Sequence, residues 1–174
     1  GRDAMFGSGL FIKSTRVAGS LQLTWASTTN EVSLTELSVD EDLFLPHLVE
    51  GAMTLSDIVI GRNLVLESGQ FQDMTIERLK VGGFTKMEDG RFSGKVVIAD
   101  SDFGKTFNAK KSVFSGDCEF RKVLFPGDDP LAGVVFVHTP SLIETKLLHD
   151  PSVKTKVPDE ETDPLEDDDS PDSP

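Results

Sequence analysis

Few side chains in this 174-residue chain have the types and spacing that catalysis or metal binding requires. The three histidines, His47, His138 and His149, are far apart and lack the short spacing of metal ligands. The single cysteine, Cys118, excludes an intramolecular disulfide and a cysteine-based zinc site. Because Cys118 stands two residues before the predicted core residue Phe120, we expect it to be a small buried residue and not a nucleophile. We therefore predict no catalytic residues, no metal ligands and no cofactor.

The best candidate for acid and base chemistry is a pair of carboxylates, Asp100 and Asp102. Clustered carboxylates cleave glycosidic bonds in many enzymes, and an i, i+2 spacing places both on one side of an extended segment. However, an Asp directly before a core Phe also satisfies the backbone amides of a corner. We therefore favour a protein that is not an enzyme, with a carbohydrate-active β-helix as the alternative.

An internal repeat dominates the chain and must position these residues. Apolar anchors, each followed by a polar turn that often contains Gly, recur every ten or eleven residues from Val17 to Phe125. Phe92-Ser-Gly-Lys-Val-Val-Ile98 and Phe114-Ser-Gly-Asp-Cys-Glu-Phe120 are two examples. A second apolar position divides each unit, so the finer period is about five or six residues, which fits no helix face. This period is typical of short faces that are joined by corners.

Short faces joined by corners predict a β-solenoid. One face cannot bury its apolar residue alone, so coils stack at roughly 4.8 Å and bury a continuous column. The eleven-residue unit spans two faces, which divides evenly into four faces and about 21–22 residues per coil. We predict an all-β, right-handed parallel β-helix of quadrilateral section with about five coils. The corners are assigned to polar residues and Gly, because Gly tolerates the φ > 0 that such turns often need.

The predicted core is a ladder of inward side chains, in which Phe residues stack on two sides of the column. The members of the ladder are Leu66, Phe71, Ile76, Val81, Phe92, Ile98, Phe103, Phe114, Phe120 and Phe125. Four basic residues, Lys110, Lys111, Arg121 and Lys122, are close in sequence. A four-faced coil places them on opposite sides, so we expect a solvated surface and no basic patch.

The five-residue repeat with a central Leu or Phe resembles that of the pentapeptide-repeat proteins, most clearly from Phe84 to Phe103. The resemblance covers roughly residues 17–125 and implies a right-handed quadrilateral β-helix. Some members of that family look like duplex DNA, with acidic surfaces on a rod, and bind DNA gyrase. The stretch from Phe114 to Phe120 also looks like a turn of the bactofilins, bacterial β-helices that polymerise end to end. These resemblances imply a bacterial protein.

The ends of the chain depart from the repeat. We assign residues 1–16 to an N-terminal cap, 17–125 to the repeats, 126–149 to a C-terminal cap and 150–174 to a tail. Gly133-Val-Val-Phe-Val137 predicts one last strand, and Ser141-Leu-Ile-Glu144 predicts a capping box that opens a short helix to about Leu148. The tail has ten acidic residues and five prolines in 25 positions, a composition that predicts disorder.

The charge distribution limits the classes of partner. The net charge is -13, of which -8 lies from Asp150 onward and only -5 in the other 149 residues. Surfaces that bind nucleic acid are basic, so we predict no nucleic-acid partner. No apolar run reaches the roughly 20 residues of a transmembrane helix. The lone cysteine fits a reducing compartment and slightly favours the cytoplasm.

The leading functional hypothesis is a non-catalytic β-solenoid that acts as a protein-interaction or structural scaffold module. The first alternative is an acidic DNA mimic that modulates a topoisomerase. The second is a polymer-forming scaffold that resembles the bactofilins. We expect a protein partner in each case. For self-association, the alternatives are a homodimer and an end-to-end polymer.

Overall fold

The computed structural model describes residues 5–6, 9–23, 27–28, 31–45 and 51–147. It is an all-β parallel solenoid of about six coils, and the described part contains no helix. The predicted fold class is therefore confirmed. The tail predicted at 150–174, together with His47 and His149, lies outside the described residues.

The described strands form three larger sheets and two small ones, with parallel pairing throughout. The seven-stranded sheet contains β2 (Leu10–Val17), β5 (Val32–Val39), β7 (Met53–Ile60), β10 (Met74–Val81), β13 (Val96–Ala99), β16 (Cys118–Arg121) and β19 (Ser141–Ile143). The five-stranded sheet contains β3 (Leu21–Gln22), β6 (Leu43–Phe44), β8 (Leu64–Val65), β11 (Phe84–Lys86) and β14 (Thr106–Asn108). The four-stranded sheet contains β9 (Gln70–Phe71), β12 (Arg91–Phe92), β15 (Val113–Phe114) and β18 (Val135–Phe136). Two further pairs join β1 (Met5–Phe6) to β4 (Ser27–Thr28) and β17 (Leu124–Phe125) to β20 (Lys146–Leu147).

Each coil advances the chain by 21 or 22 residues. Val32 pairs with Met53 and Met53 with Met74, while Met74 pairs with Val96 and Val96 with Cys118. This is the coil length that four faces of five or six residues require. The number of coils is about six instead of the predicted five, because β2 and β18 to β20 also form rungs of the solenoid.

Two corners of a coil are made by residues in the left-handed conformation. Non-glycine residues with φ between 49° and 62° recur about every eleven positions: Asp57, Ser68, Arg78, Asp89, Asp100, Lys111 and Lys122. Asp57 and Arg78 lie inside β7 and β10, so each of these eight-residue strands bends there and serves two faces. These corners are made by polar residues, as predicted, and they reach the positive φ without Gly.

Glycine is needed at other corners because neighbouring coils approach closely there. A Cβ on Gly61 would overlap the carbonyl oxygen of Asp40, and a Cβ on Gly116 would overlap that of Gly94. The amide of Gly61 donates to the carbonyl of Val39 at 2.8 Å, which holds the two coils at this distance. A side chain at these corners would force the coils apart.

The core is one continuous column of inward side chains. All ten residues of the predicted ladder are buried. One side of the column is a stack of four nearly parallel rings with centroids 4.3–5.1 Å apart: Phe71, Phe92, Phe114 and Phe136. On another side Phe103 stacks on Phe125 at 5.4 Å. Rings in register on successive coils thus form the two aromatic ladders that the Phe spacing predicts, and offset stacking is a favourable geometry for them.

Polar side chains also connect one coil to the next. The buried Thr85 hydroxyl donates to the carbonyl of Phe103 at 3.1 Å. On the surface, a carboxylate oxygen of Asp42 accepts from the amide of Asn63 at 3.1 Å, and the Asn63 side-chain oxygen accepts from the amide of Phe84 at 3.0 Å. In the described part of the chain every buried side-chain nitrogen or oxygen has a partner, as a stable interior requires.

The predicted C-terminal helix is the element that the structure contradicts. The residues expected to open it, Ser141–Ile143, form β19, and Lys146–Leu147 form β20. Glu144 between them has a φ of 49°, the corner conformation that Lys122 adopts one coil earlier. Because β19 pairs with β16, it satisfies backbone groups on that edge which a helix would leave unpaired. Tertiary pairing therefore overrides the local preference of the capping box.

Candidate interaction surfaces

The last described coil carries most of the exposed apolar surface. Eight large apolar side chains are exposed in the described residues, and five of them belong to this coil. They form what we call the end patch: Val135, Val137, Leu142, Ile143 and Leu147. Their exposed fractions lie between 40% and 60%. Surface apolar residues that are scattered singly need no explanation, whereas five on one coil make that coil a candidate contact site.

Two residues of the end patch, Leu142 and Leu147, are exposed because the described chain provides no coil beyond them. Val135 and Ile143 instead occupy outward positions, in register with Val113 and Arg121, which are not buried either. Leu142 lies in register with Phe120, and Leu147 lies in register with Phe125. Phe120 and Phe125 are 2% and 0% exposed, whereas Leu142 and Leu147 are 46% and 40% exposed. The four residues share the ladder pattern, so the difference in burial comes from the missing neighbour and not from the position within the coil.

The same sheet presents open edges at both ends of the described solenoid. The strand order of the seven-stranded sheet runs from β19 at one end to β2 at the other. Leu10, Ile12 and Val17 of β2 are only partly buried against the core, and Phe11 is exposed. Free strand edges of this kind are templates for pairing with another chain.

The sides of the solenoid are charged instead of apolar, and oppositely charged side chains on successive coils pair with one another. Arg78 lies one coil after Asp57, and its Nε is 2.6 Å from a carboxylate oxygen of Asp57. Hydrogen bonds from Arg78 and then from Ser56 lower the pKa of the Asp57 carboxyl to about 2. Asp100 and Lys122 follow at the same corner in the next two coils, so opposite charges alternate. From Asp57 to Lys122 this alternation avoids like charges at strand spacing, whereas Glu36, one coil before Asp57, is a like charge at the same corner.

A second charged cluster lies on the five-stranded sheet. The Nζ of Lys86 contacts a carboxylate oxygen of Glu67 and lies 2.9 Å from one of Glu88. The hydrogen bonds that Lys86 donates to Glu67 and then to Glu88 raise the pKa of Lys86. Asn108 on the next coil donates to Glu88 at 2.5 Å. These groups satisfy one another, which is the expected role of side chains that connect coils.

The carboxylate pair Asp100 and Asp102 borders an open depression of about 500 Å³. Arg78, Lys80 and Lys122 also line it. Asp100 forms the corner with a φ of 49°, and Asp102 bridges Lys80 and the following coil. A carboxylate oxygen of Asp102 accepts from the amide of Gly104 at 2.9 Å. This bond caps the next corner, which is the structural role that the sequence suggested as the alternative to catalysis.

Cys118 lies on β16 with its side chain in the core, 4% exposed. Burial, and to a smaller extent the charge of Asp117, raises the pKa of its thiol to about 11. A buried thiol of this kind is mostly protonated at neutral pH and reacts slowly. The one histidine in the described part, His138, lies exposed beyond β18.

The four basic residues do not form a patch. Lys110 and Lys111 lie at the corner before β15, Arg121 ends β16, and Lys122 occupies the corner eleven residues after Lys111. The Arg121 Nε pairs with Glu119 at 2.8 Å. Within the described ranges, no group of three or more His, Cys, Asp or Glu side chains could hold a metal ion. Those ranges also include no helix with the length and apolarity needed to cross a bilayer.

Sequence reasoning placed Leu142, Ile143 and Leu147 in a helix that covers the last coil or forms a dimer contact, and it missed that they continue the solenoid, although a signal was present. Counting 22 residues from Phe120 and Phe125 reaches Leu142 and Leu147, so the ladder continues past the point where the repeat is interrupted.

A scan against models of protein families gave no match, and searches among curated proteins and among solved structures gave none either. The fold itself is clear: the chain forms a parallel β-solenoid of about six coils.

Proposed function

We propose that this solenoid is a non-catalytic scaffold that acts through protein–protein contacts. The observation that carries the proposal is the end patch, in which five large apolar side chains remain 40–60% exposed on one coil. Several exposed large apolar side chains on one coil are costly in water and are typical of contact sites. The rest of the described solenoid is a filled, rigid column whose buried polar groups are satisfied, which suits a structural role.

The alternative functions have less support from the side chains. The Asp102 carboxylate of the best acid-base pair is bonded to the amide of Gly104, and both Asp residues border an open surface. An acidic DNA mimic would need continuous negative columns. Here Arg78 follows Asp57 and Lys122 follows Asp100 at one corner, which breaks such a column.

Cross-linking of the full chain in its native cells, followed by mass spectrometry, tests the proposal. Val137→Lys places a charge in the end patch, and Val59→Lys places the same charge on a side face of a middle coil. Both positions are exposed, so both variants should fold. We expect specific protein adducts for the wild type and for Val59→Lys, and their loss for Val137→Lys. Identical adduct patterns for both variants, or none for the wild type, would contradict the proposal.

A polymer-forming scaffold is the second candidate function, and one observation favours it. β2 and β19 are edge strands at opposite ends of the same parallel sheet. A rod with two open edges of one sheet can join to further copies of itself. Light scattering and negative-stain microscopy of the purified chain test this candidate. We expect rods that lengthen with concentration, whereas a monomer at all concentrations would contradict it.

A further inference from the structure

We propose that the two ends of the solenoid bind each other, with β19 of one copy in parallel pairing with β2 of the next. The junction continues the coil register, so that Leu142 of the first copy lies beside Ile12 of the second. This inference rests on the polymer-forming candidate above and specifies its partner as a second copy, the direction of assembly and the pairing register.

The first argument comes from the backbone. All six pairings within the seven-stranded sheet are parallel, with steps of 21 or 22 residues. In such a sheet the edge that β19 leaves open has the hydrogen-bonding pattern that β16 offers to β19. The strand that fits this edge is another rung of the same kind in the same direction. Among the described strands, β2 is the rung whose outer edge is also open.

The second argument comes from the side chains that this register brings together. One column of side chains on the seven-stranded sheet ends at Ser141, and in the proposed register the next residue of this column is Phe11 of a second copy. Within one chain the column consists of Phe11, Ser33, Thr54, Thr75, Val97, Glu119 and Ser141. Leu142 then meets Ile12, and Leu147 meets Val17, which completes the inward ladder across the junction. Leu142 and Leu147 are 46% and 40% exposed in the single chain, and both would become buried.

The polar side chains at the junction repeat a contact that the structure already contains. Within the chain, the Ser14 hydroxyl donates to the carboxylate of Glu36 at the corner one coil later. Across the junction, Glu144 would lie beside Ser14 of the next copy and could accept the same kind of hydrogen bond. Lys146 would lie near Arg16, a like charge, but the Arg16 guanidinium is already 3.3 Å from a carboxylate oxygen of Asp40.

The third argument is the distribution of charge along the solenoid. The first coil, residues 9–30, contains two basic residues and no acidic residue, whereas the last described coil, residues 126–147, contains three acidic residues and one basic residue. The first coil therefore has a net charge of +2, and the last described coil has a net charge of -2. Opposite ends attract and like N-terminal ends repel, which favours head-to-tail contact over contact between two identical ends.

Head-to-tail contact uses two different surfaces, so the assembly does not close after two copies. A heterologous contact that does not close generates a filament. With about six coils per copy at roughly 4.8 Å per coil, each copy would add roughly 29 Å to its length. The axial repeat is therefore a second property that the proposal specifies.

Cysteine cross-linking tests the register. Lys13→Cys and Ile143→Cys are made separately in a Cys118→Ala background, and the two proteins are mixed under mild oxidation. In the proposed register these residues are neighbours on adjacent parallel strands, within the Cα separation that a disulfide needs. We expect a mixed disulfide dimer of the two proteins. A mixture of Lys13→Cys with Lys80→Cys, on a middle coil, serves as the control and should give none.

The outcomes separate this inference from the scaffold function. A dimer formed by Ile143→Cys alone would mean that two C-terminal ends meet, which overturns the proposal. Filaments without the mixed disulfide would leave the polymer function in place and overturn the register. A wild-type monomer that associates only after removal of residues 148–174 would show that this segment covers its own end, which also overturns the proposal. The mixed disulfide, together with filaments that Leu142→Asn abolishes, would establish the junction.

Discussion

The middle coils and the last described coil follow the same pattern and differ in what covers them. In residues 51–125 each inward side chain has a coil on either side, and Phe92 and Phe103 are fully buried. In residues 134–147 the register continues, yet Leu142 and Leu147 remain exposed. In a solenoid, an inward side chain is thus buried by the coils stacked on either side of it and not by its own coil alone. The apolar side chains that stabilise the middle coils by burial remain exposed in the last described coil.

The comparison predicts that the loss of stability on truncating a ladder side chain depends strongly on the coil in which that side chain lies. Phe92→Ala removes a ring that stacks between Phe71 and Phe114, at centroid distances of 5.1 and 4.3 Å. We expect it to lower the free energy of unfolding by about 3–5 kcal/mol. Leu142→Ala in the last coil should cost less than about 1 kcal/mol, because little buried surface is lost. Urea titration followed by circular dichroism measures both, and equal losses would contradict the comparison.

Thiol reactivity measures the same difference without destabilising the middle. Cys118 is buried and its pKa is raised to about 11, so at pH 8 its thiolate fraction is very small. Leu142→Cys in a Cys118→Ala background places a thiol at a ladder position of the last coil. In dilute solution we expect this thiol to react with an alkylating reagent about 100-fold or more faster than native Cys118. Comparable rates would show that the two coils are equally covered, and labelling in urea provides the control.

A substitution at Gly116 tests whether the spacing between coils depends on corners that have no side chain. Gly116→Ala places a Cβ against the carbonyl oxygen of Gly94, so the two coils must separate. We expect a loss of about 1–3 kcal/mol in the free energy of unfolding. The neighbouring substitution Ser115→Ala, at an exposed position, should change it by less than about 0.5 kcal/mol. A harmless Gly116→Ala would mean that these corners can move apart.

The surface pair of Asp57 and Arg78 should have the smallest effect on stability, and the size of this effect depends on pH. The folded-state pKa of Asp57, about 2, lies below the ordinary value of 3.8. Its contribution to stability is therefore complete above pH 4 and is lost as the pH falls toward 2. Arg78→Gln should lower the melting temperature slightly at pH 7 and in low salt, and the difference from the wild type should vanish near pH 2. NMR titration should show the Asp57 pKa returning toward 3.8 in this variant; an unchanged pKa would contradict the assignment.

Local sequence was a good guide to the period and a poor guide to the backbone conformation of the corners and to the end. The five- and six-residue beat depends on which residues are apolar, and the ten predicted ladder residues from Leu66 to Phe125 are indeed buried. Polar residues make the corners, as predicted, but the positive φ that was attributed to Gly is adopted by residues such as Arg78 and Lys111, because inter-coil pairing holds them there. The capping box at Ser141 failed because the open edge of β16 offered better hydrogen bonds than a short helix.

The sequence by itself determined the architecture: a repeating beat of apolar residues can be buried only by stacking coils of about 22 residues. Tertiary structure alone decided which residues touch across coils, because such contacts join positions 21 or 22 apart through the register of the sheet. The pairing of Arg78 with Asp57 and the close approach at Gly116 arise in this way. So does the exposure of Leu142 and Leu147, since an inward side chain is buried only when another coil lies beyond it.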